Sequence, residues 1–347
     1  MLFFIIFSLF LTTNAQKLVL VTVVHRHGDR TPEYVYPTDP YPEDMWHGLG
    51  QLTAQGEKQL YSLGRYMKER YAGFLPRTYI QGDVYVESSD MPRTIESARA
   101  CLNGLYEFDN IVNGPMQPIH TIPSDLDNKI LFSKPCPKMD QLKEEAIHNN
   151  IPEETLEKYD AVLKELSEHV GEDIDFDNIG TAFLIADTLN IESSKGMVVP
   201  DWAENFVPEP LSNMAKLFVY KLPFSTVELK RLYCGPLLKD ILMHLQIAAS
   251  GRSSLKLMEY SGHDTTVARI LSCLNVFDGN PPDYGDAVFI ELYKNANIRY
   301  EVLVSYKSGD VVKALTIPGC SLFCPLDIMI TLLSSVVPGD WDAECEA

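Results

Sequence analysis

The sequence predicts an α/β fold: a layered sheet with helices on both faces and a smaller helical cap inserted into it. Three observations lead there. The run Leu18 to Val24 is almost wholly apolar and opens into a charged loop, Arg26-His27-Gly28-Asp29-Arg30-Thr31-Pro32, ahead of a helical pattern. A second, largely apolar run, Leu255 to Tyr260, passes through Ser261-Gly262-His263-Asp264 into another helical pattern. Between them a long acidic stretch, about 120–230, has helical rather than alternating periodicity. Strands covered on both faces read as unbroken apolar runs and belong to parallel sheets, whose C-terminal ends carry the chemistry of α/β proteins.

Taken in order, the first strand is expected at 17–24. A helix follows from about Thr53 to Arg70, with Thr53 as its N-cap and Leu60, Leu63, Met67 and Tyr71 at helical spacing. A short strand at 83–87 leads to Arg93 at the start of a second helix through Ala98, Leu102 and Leu105. The cap at about 120–230 contains helical runs such as Leu142 to Ile147 and Glu154 to Leu166. Helix Pro236 to Ser250 returns to the core, and the second strand–loop–helix unit continues through Val267, Ile270, Leu271 and Leu274. Ala287 to Tyr293, Arg299 to Ser305 and Val311 to Ile317 alternate and are broken at Asn295 and Gly309, which predicts an antiparallel meander.

The loop 26–32 points to phosphorus chemistry. Arginine presents a rigid fork of donors that matches phosphate oxygens. A histidine held between two such forks, as His27 is between Arg26 and Arg30, is a candidate nucleophile. Gly28 allows a close turn around an anion, and Pro32 stiffens the exit. Arg93, in a loop beside a helix N-terminus, suits the same anion. The other histidines, His25, His47, His120, His148, His169 and His244, lack metal-ligand spacing, and strand alternation turns His25 away from the loop. Cys320 and Cys324 have no second pair to complete a zinc site and read as a disulfide.

The loop resembles the signature of the histidine acid phosphatases, arginine-histidine-glycine-any-arginine-any-proline. Five fixed positions coincide by chance on the order of once in ten thousand sequences of this length. His263-Asp264 with Thr265 and Thr266, and Ser88 to Thr94 with Arg93, are similar to the family's other motifs and stand in its order. Pro37 to Pro40, Gly48 to Gly56, Pro318 to Leu326 and Asp340 to Cys345 resemble the prostatic and lysosomal members. The likeness runs from Lys17 almost to the last residue and is weakest at about 141–213.

The resemblance implies a phosphoglycerate mutase-like fold and a role for each site residue. His27 is the nucleophile that forms a phosphohistidine. Arg26, Arg30, Arg93 and His263 bind the phosphoryl oxygens. Asp264 donates a proton to the leaving group. It implies no metal and no cofactor, because four cationic groups cover the phosphoryl charge. It also implies the disulfides Cys136–Cys345 and Cys320–Cys324. Cys101, Cys234 and Cys273 stay unassigned, and the family's third bridge is expected to be absent, since its second cysteine falls near Ala287 or Val288.

Two positions depart from the family. Glu87 stands where it has arginine, and Pro92 where it has an acidic residue. If Glu87 faces the pocket, it competes for Arg93 or Arg30 and favours a cationic ligand. This keeps a second reading open: a secreted protein on the same fold, weak or inactive in catalysis, that binds a small amine or lipid.

Met1 to Leu11 is apolar and Thr13-Asn14-Ala15 offers a small-residue cleavage site, so 1–15 is expected to be a signal peptide and 16–347 the phosphatase domain. No later segment reaches membrane-spanning length, so a secreted protein without a membrane anchor is expected. Seven cysteines fit export. A net charge of −19 and a pI near 4.8 argue against nucleic acid. They leave a small phosphate monoester as the expected partner, with a homodimer open. The arginines keep His27 neutral in mild acid and Asp264 must be protonated to act, so an acid optimum is expected.

Overall fold

The computed structural model describes residues 16–106 and 118–346. The expected signal peptide lies outside them. Along the chain, β1 (Lys17–Arg26) runs into α1 (Ala54–Arg70), and β2 (Val84–Ser89) into α2 (Pro92–Tyr106). β3 (Ile119–Ile122) precedes a helical segment of α3 (Pro137–Asn150), α4 (Glu153–Val170), α5 (Ile179–Ser194), α6 (Leu211–Phe218) and α7 (Val227–Tyr233). α8 (Gly235–Ala249) returns to β4 (Leu257–Gly262) and α9 (Asp264–Cys273). Then come β5 (Ala287–Lys294), β6 (Tyr300–Ser308), β7 (Val311–Leu315), β8 (Phe323–Pro325), α10 (Leu326–Leu333) and α11 (Trp341–Cys345).

The strands form one mixed sheet in the order β3-β2-β4-β1-β5-β6-β7, with β8 also paired to β6. β3, β2, β4 and β1 are parallel. β5, β6 and β7 form the antiparallel meander that alternation predicts, and β5 joins it to β1. β3 departs from the sequence reading, which placed residues from about 120 in the helical cap. Val86 to Ser89 pair in parallel with Ile119 to Ile122. Four residues at a sheet edge are too few to carry a periodic signal.

β1 is the centre of the molecule. Val21 and Val23 enter a core shared with Leu60, Leu63 and Met67 of α1 and Ala98 and Leu105 of α2. Leu20 and Val24 enter a second core with Leu238, Ile241 and Leu245 of α8 and Val267 and Ile270 of α9. Successive residues serve opposite layers, which is why the strand reads as one unbroken apolar run.

α1 and α2 meet backbone to backbone. A Cβ on Gly64 would fall 1.9 Å from the Cys101 carbonyl oxygen, and one on Gly104 2.0 Å from that of Tyr61. This contact packs the C-terminal half of α2 directly onto the middle of α1. Thr53 caps α1 as expected, its side chain accepting from the Gly56 N–H. Helices α4, α5 and α6 build a core of their own around Leu163, Leu166, Ile185 and Met214, and Tyr36 from the loop after β1 inserts into it. A further core joins α3, α7 and α11 around Leu229 and Trp341.

Three disulfides are present among the described residues. Cys136–Cys345 and Cys320–Cys324 follow the implied pairing. The third, Cys234–Cys273, links the start of α8 to the end of α9. It pairs two of the three cysteines that the sequence left unassigned. It rests on the packing of two helices on one face of the sheet, which sequence spacing does not show. Cys101 is free and buried. No described helix is long and apolar enough to cross a membrane.

Cys234 and Cys273 are separated by 39 residues. Closing a loop of that size removes on the order of 4 kcal/mol of unfolded-state entropy. The double variant Cys234→Ala/Cys273→Ala is expected to lower the urea unfolding free energy by about 2–4 kcal/mol. An unchanged midpoint would show that this bridge does not stabilise the fold.

Candidate active site

The site lies where β1, β2 and β4 end side by side. Arg26 is in register with Gly262, and the His27 N–H donates to the Gly262 carbonyl at 2.9 Å. The residues that follow the two strands, His27 and His263, therefore emerge together, with ring centroids 5.5 Å apart. His263 caps α9, so this helix directs its N-terminal dipole and Asp264 at the same spot.

The loop after β1 is clamped on two sides. A Cβ on Gly28 would fall 2.3 Å from the Gly56 carbonyl oxygen, and one on Gly56 2.2 Å from that of Asp29. Only glycine at both positions lets the loop rest on the first turn of α1. The Gly28 N–H donates to Ser97 Oγ of α2 at 3.1 Å, and the Asp29 N–H to Gln59 Oε1 of α1 at 2.7 Å.

The His27 ring is held in one tautomer. Its Nδ1 lies 2.8 Å from the Gly28 carbonyl oxygen. A carbonyl only accepts, so Nδ1 carries the proton and Nε2 keeps its lone pair. Burial, then the charge of Arg26, holds the imidazole pKa well below its usual value. The ring is therefore neutral in acid.

Each arginine is already partnered. Arg26 donates to the Pro282 carbonyl at 2.8 Å, lies 3.3 Å from Asp264 Oδ2, and stacks 4.1 Å over the Tyr284 ring. Arg30 pairs with Asp187 at 2.8 Å and with Glu33 at 2.9 Å. Arg93 pairs with the other oxygen of Glu33 at 3.0 Å. The Nε atoms of all three are buried and have no protein acceptor, so each keeps a donor that an anion could use.

His263 Nε2 is 3.0 Å from Ser89 Oγ. Burial, then Arg93, lowers its pKa to about 3. The sequence reading counted four cationic groups. Burial leaves three, with His263 neutral and contributing a hydrogen bond. Burial alone would raise the Asp264 pKa, but Arg26 and then His263 outweigh it and hold the carboxyl below the usual aspartate value. Burial wins at Asp187, whose carboxyl sits above the usual value despite Arg30.

All six residues singled out in the sequence thus converge. Glu33, Asp187 and Tyr284, which also shape the pocket, were not singled out. A signal for two of them existed: Glu33 directly follows Pro32, and Asp187 is the sole acid among the apolar residues of α5 before Glu192.

Glu87 is not part of the pocket. Lys129 lies 2.6 Å from its Oε1 and Tyr85 donates to its Oε2 at 2.9 Å, with Asp240 of α8 beside the same lysine. Strand alternation turns Tyr85 and Glu87 toward α8, while Val84 and Val86 face α1 and α2. Pro92 takes the first position of α2, where a missing N–H costs nothing. His25 also points away, its Nε2 3.0 Å from Glu259. The Cys101 thiol hydrogen-bonds to the same carboxylate, and the three groups form a buried cluster behind the sheet.

The histidine phosphatase superfamily (branch 2) matches residues 17–306. The lysosomal acid phosphatase of Rattus norvegicus is 35% identical over 351 residues, covering 96% of this chain and 81% of that protein. The prostatic acid phosphatase of Homo sapiens is 34% identical over 359 residues, covering 99% and 92%. Among solved structures, the apo form of Hafnia alvei phytase is similar in fold, with a TM-score of 0.67 at 20% identity over 96% of this chain and 98% of its own.

Because Glu87 is neutralised by Lys129, Glu87→Gln is expected to leave the affinity for inorganic phosphate within about twofold. It should cost on the order of 1–3 kcal/mol of stability, since Lys129 loses a charged partner. Thermal unfolding and phosphate calorimetry on one preparation check both. A tenfold change in phosphate affinity would place the Glu87 charge in the pocket after all.

Proposed function

The chain belongs to the histidine phosphatase superfamily, branch 2, and on that premise we propose that it is a secreted acid phosphatase that hydrolyses phosphate monoesters through a phosphohistidine, without a metal. The observation that carries this reading is the Nδ1–H of His27 bound to the Gly28 carbonyl, which leaves Nε2 as a neutral nucleophile among three guanidinium groups.

Below the second pKa of a phosphate ester, near 6, the substrate arrives as a monoanion that carries one proton. The arginines favour its dianion. The added negative charge raises the pKa of Asp264, which takes the proton. Nε2 attacks phosphorus while the bond to the ester oxygen breaks, and Asp264 protonates that oxygen as it leaves. The Asp264 carboxylate then accepts a proton from the water that attacks the phosphohistidine, which releases phosphate and restores the ring. Arg26, Arg30 and Arg93 hold the non-bridging oxygens with His263 throughout.

This changes the source of the acid optimum. In the free pocket Asp264 is ionised well into acid, so the proton comes with the substrate rather than from a protonated aspartate. A binding protein of the same fold keeps one observation in its favour: three carboxylates match the three arginines. Tight amine binding without turnover would decide for it.

His27→Ala is expected to abolish turnover of p-nitrophenyl phosphate. Asp264→Asn should still trap phosphohistidine from that ester yet fail on alkyl esters, which need the leaving-group proton. A chelator should leave the rate unchanged. Full activity in His27→Ala, or loss in chelator restored by a divalent ion, would overturn the mechanism.

The pH profile follows from the sign of the His27 shift. Its pKa is lowered, so the neutral ring persists above that lowered value and is lost only as pH falls through it. The acid limb of kcat/KM is expected well below the usual histidine value of about 6.5, and the alkaline limb near 6, where the substrate monoanion disappears. An acid limb at 6.5 would show that the ring is not held neutral.

A further inference from the structure

We propose that Glu33 is a specificity-determining residue that sets the site for phosphate monoesters carrying a cationic group close to the phosphate, and against polyanionic phosphates. This rests on the phosphatase reading of the site. O-phosphorylated amino alcohols are the simplest members of the class.

Glu33 spans two of the three pocket arginines, one carboxylate oxygen 2.9 Å from Arg30 and the other 3.0 Å from Arg93. Those arginines are almost fully buried, at 7% and 6% side-chain exposure, whereas Glu33 is 29% exposed. It therefore stands between these two arginines and solvent.

The position is built by the fold. The Gly50 N–H donates to the Pro32 carbonyl at 2.7 Å, and the Thr31 N–H to Gln51 at 2.9 Å, so the turn Gly48 to Gln51 holds the backbone just before Glu33. A Cβ on Gly50 would lie 3.3 Å from both Arg93 Nη1 and Glu33 Cγ, and its φ of +64° suits glycine. A larger residue there would crowd the pair.

A phosphoryl group on the free Nε donors of Arg30 and Arg93 lies beside this carboxylate and competes with it for the charge of the two arginines. One like charge at about 4–6 Å costs on the order of tenfold or more in affinity. An ammonium two or three bonds beyond the phosphate replaces the arginines as its partner and removes that cost. A second phosphate on the leaving group adds to it. The other two carboxylates each pair with a single arginine, Asp264 with Arg26 and Asp187 with Arg30, whereas Glu33 bridges two.

The test is the ratio of kcat/KM for O-phosphoethanolamine to that for propyl phosphate, which has nearly the same shape and no ammonium. Wild type is expected to favour the zwitterion by about tenfold or more. In Glu33→Gln the ratio should fall toward one, and inorganic phosphate should inhibit about tenfold more tightly. Glu33→Ala repeats the measurement without the amide. Equal ratios in wild type and both variants, with p-nitrophenyl phosphate turned over by all three, would overturn the proposal. Absence of turnover on p-nitrophenyl phosphate by wild type would remove the phosphatase reading, an outcome distinct from unchanged selectivity.

Discussion

Three guanidinium groups buried around a neutral imidazole are the constraint on which the rest of this structure depends. Unpaired buried charge is costly, so each arginine needs a partner before any substrate arrives. Asp264, Glu33 and Asp187 supply those partners, and each comes from a different part of the chain: the N-terminus of α9, the loop after β1, and α5. The helical segment between β3 and α8 is therefore tied to the chemistry through Asp187. Its own apolar core supports that link, since Tyr36 from the phosphate loop's continuation is buried within it.

Neutrality of the pocket has a chemical consequence. Net positive potential would attract any phosphate, whereas matched charge makes binding depend on exchanging one partner for another. On the proposed reading, what the substrate brings, a proton for Asp264 or a cation for Glu33, decides which esters are taken. The same balance keeps His27 and His263 neutral, because the arginines repel a further positive charge while burial opposes one. The neutral imidazoles and the partnered arginines are thus set by one electrostatic arrangement rather than by two.

The backbone holds this arrangement with glycine. Gly28 rests on Gly56, and Gly64 and Gly104 bring α1 and α2 into backbone contact, so the strand end, the loop and both helix N-termini form a rigid frame. The aromatic ring of Tyr284 covers Arg26 from the meander side. Flexible side chains then meet the substrate from fixed positions, which limits the ordering cost of binding.

The α/β class, the parallel strands at β1 and β4, the meander and the loop with Arg26, His27 and Arg30 were legible in local pattern, whereas His263, Asp264 and the role of Arg93 came through the family resemblance. An apolar run that ends in Arg-His-Gly states its own burial and its own chemistry. β3, the Cys234–Cys273 bridge, and the partners Glu33, Asp187 and Tyr284 were not read there, since each role rests at least in part on contacts with distant segments. Two glutamates show the difference most clearly. Glu87 looks like a charge reversal beside the anion site, yet strand alternation gives it to Lys129 on the far face. Glu33 looks like one more polar residue after a proline, yet the turn at Gly48 to Gln51 sets it across two arginines. Local sequence determined which groups could do chemistry. Only the tertiary structure decided which charges face each other, because side-chain direction and contacts between distant segments arise from packing.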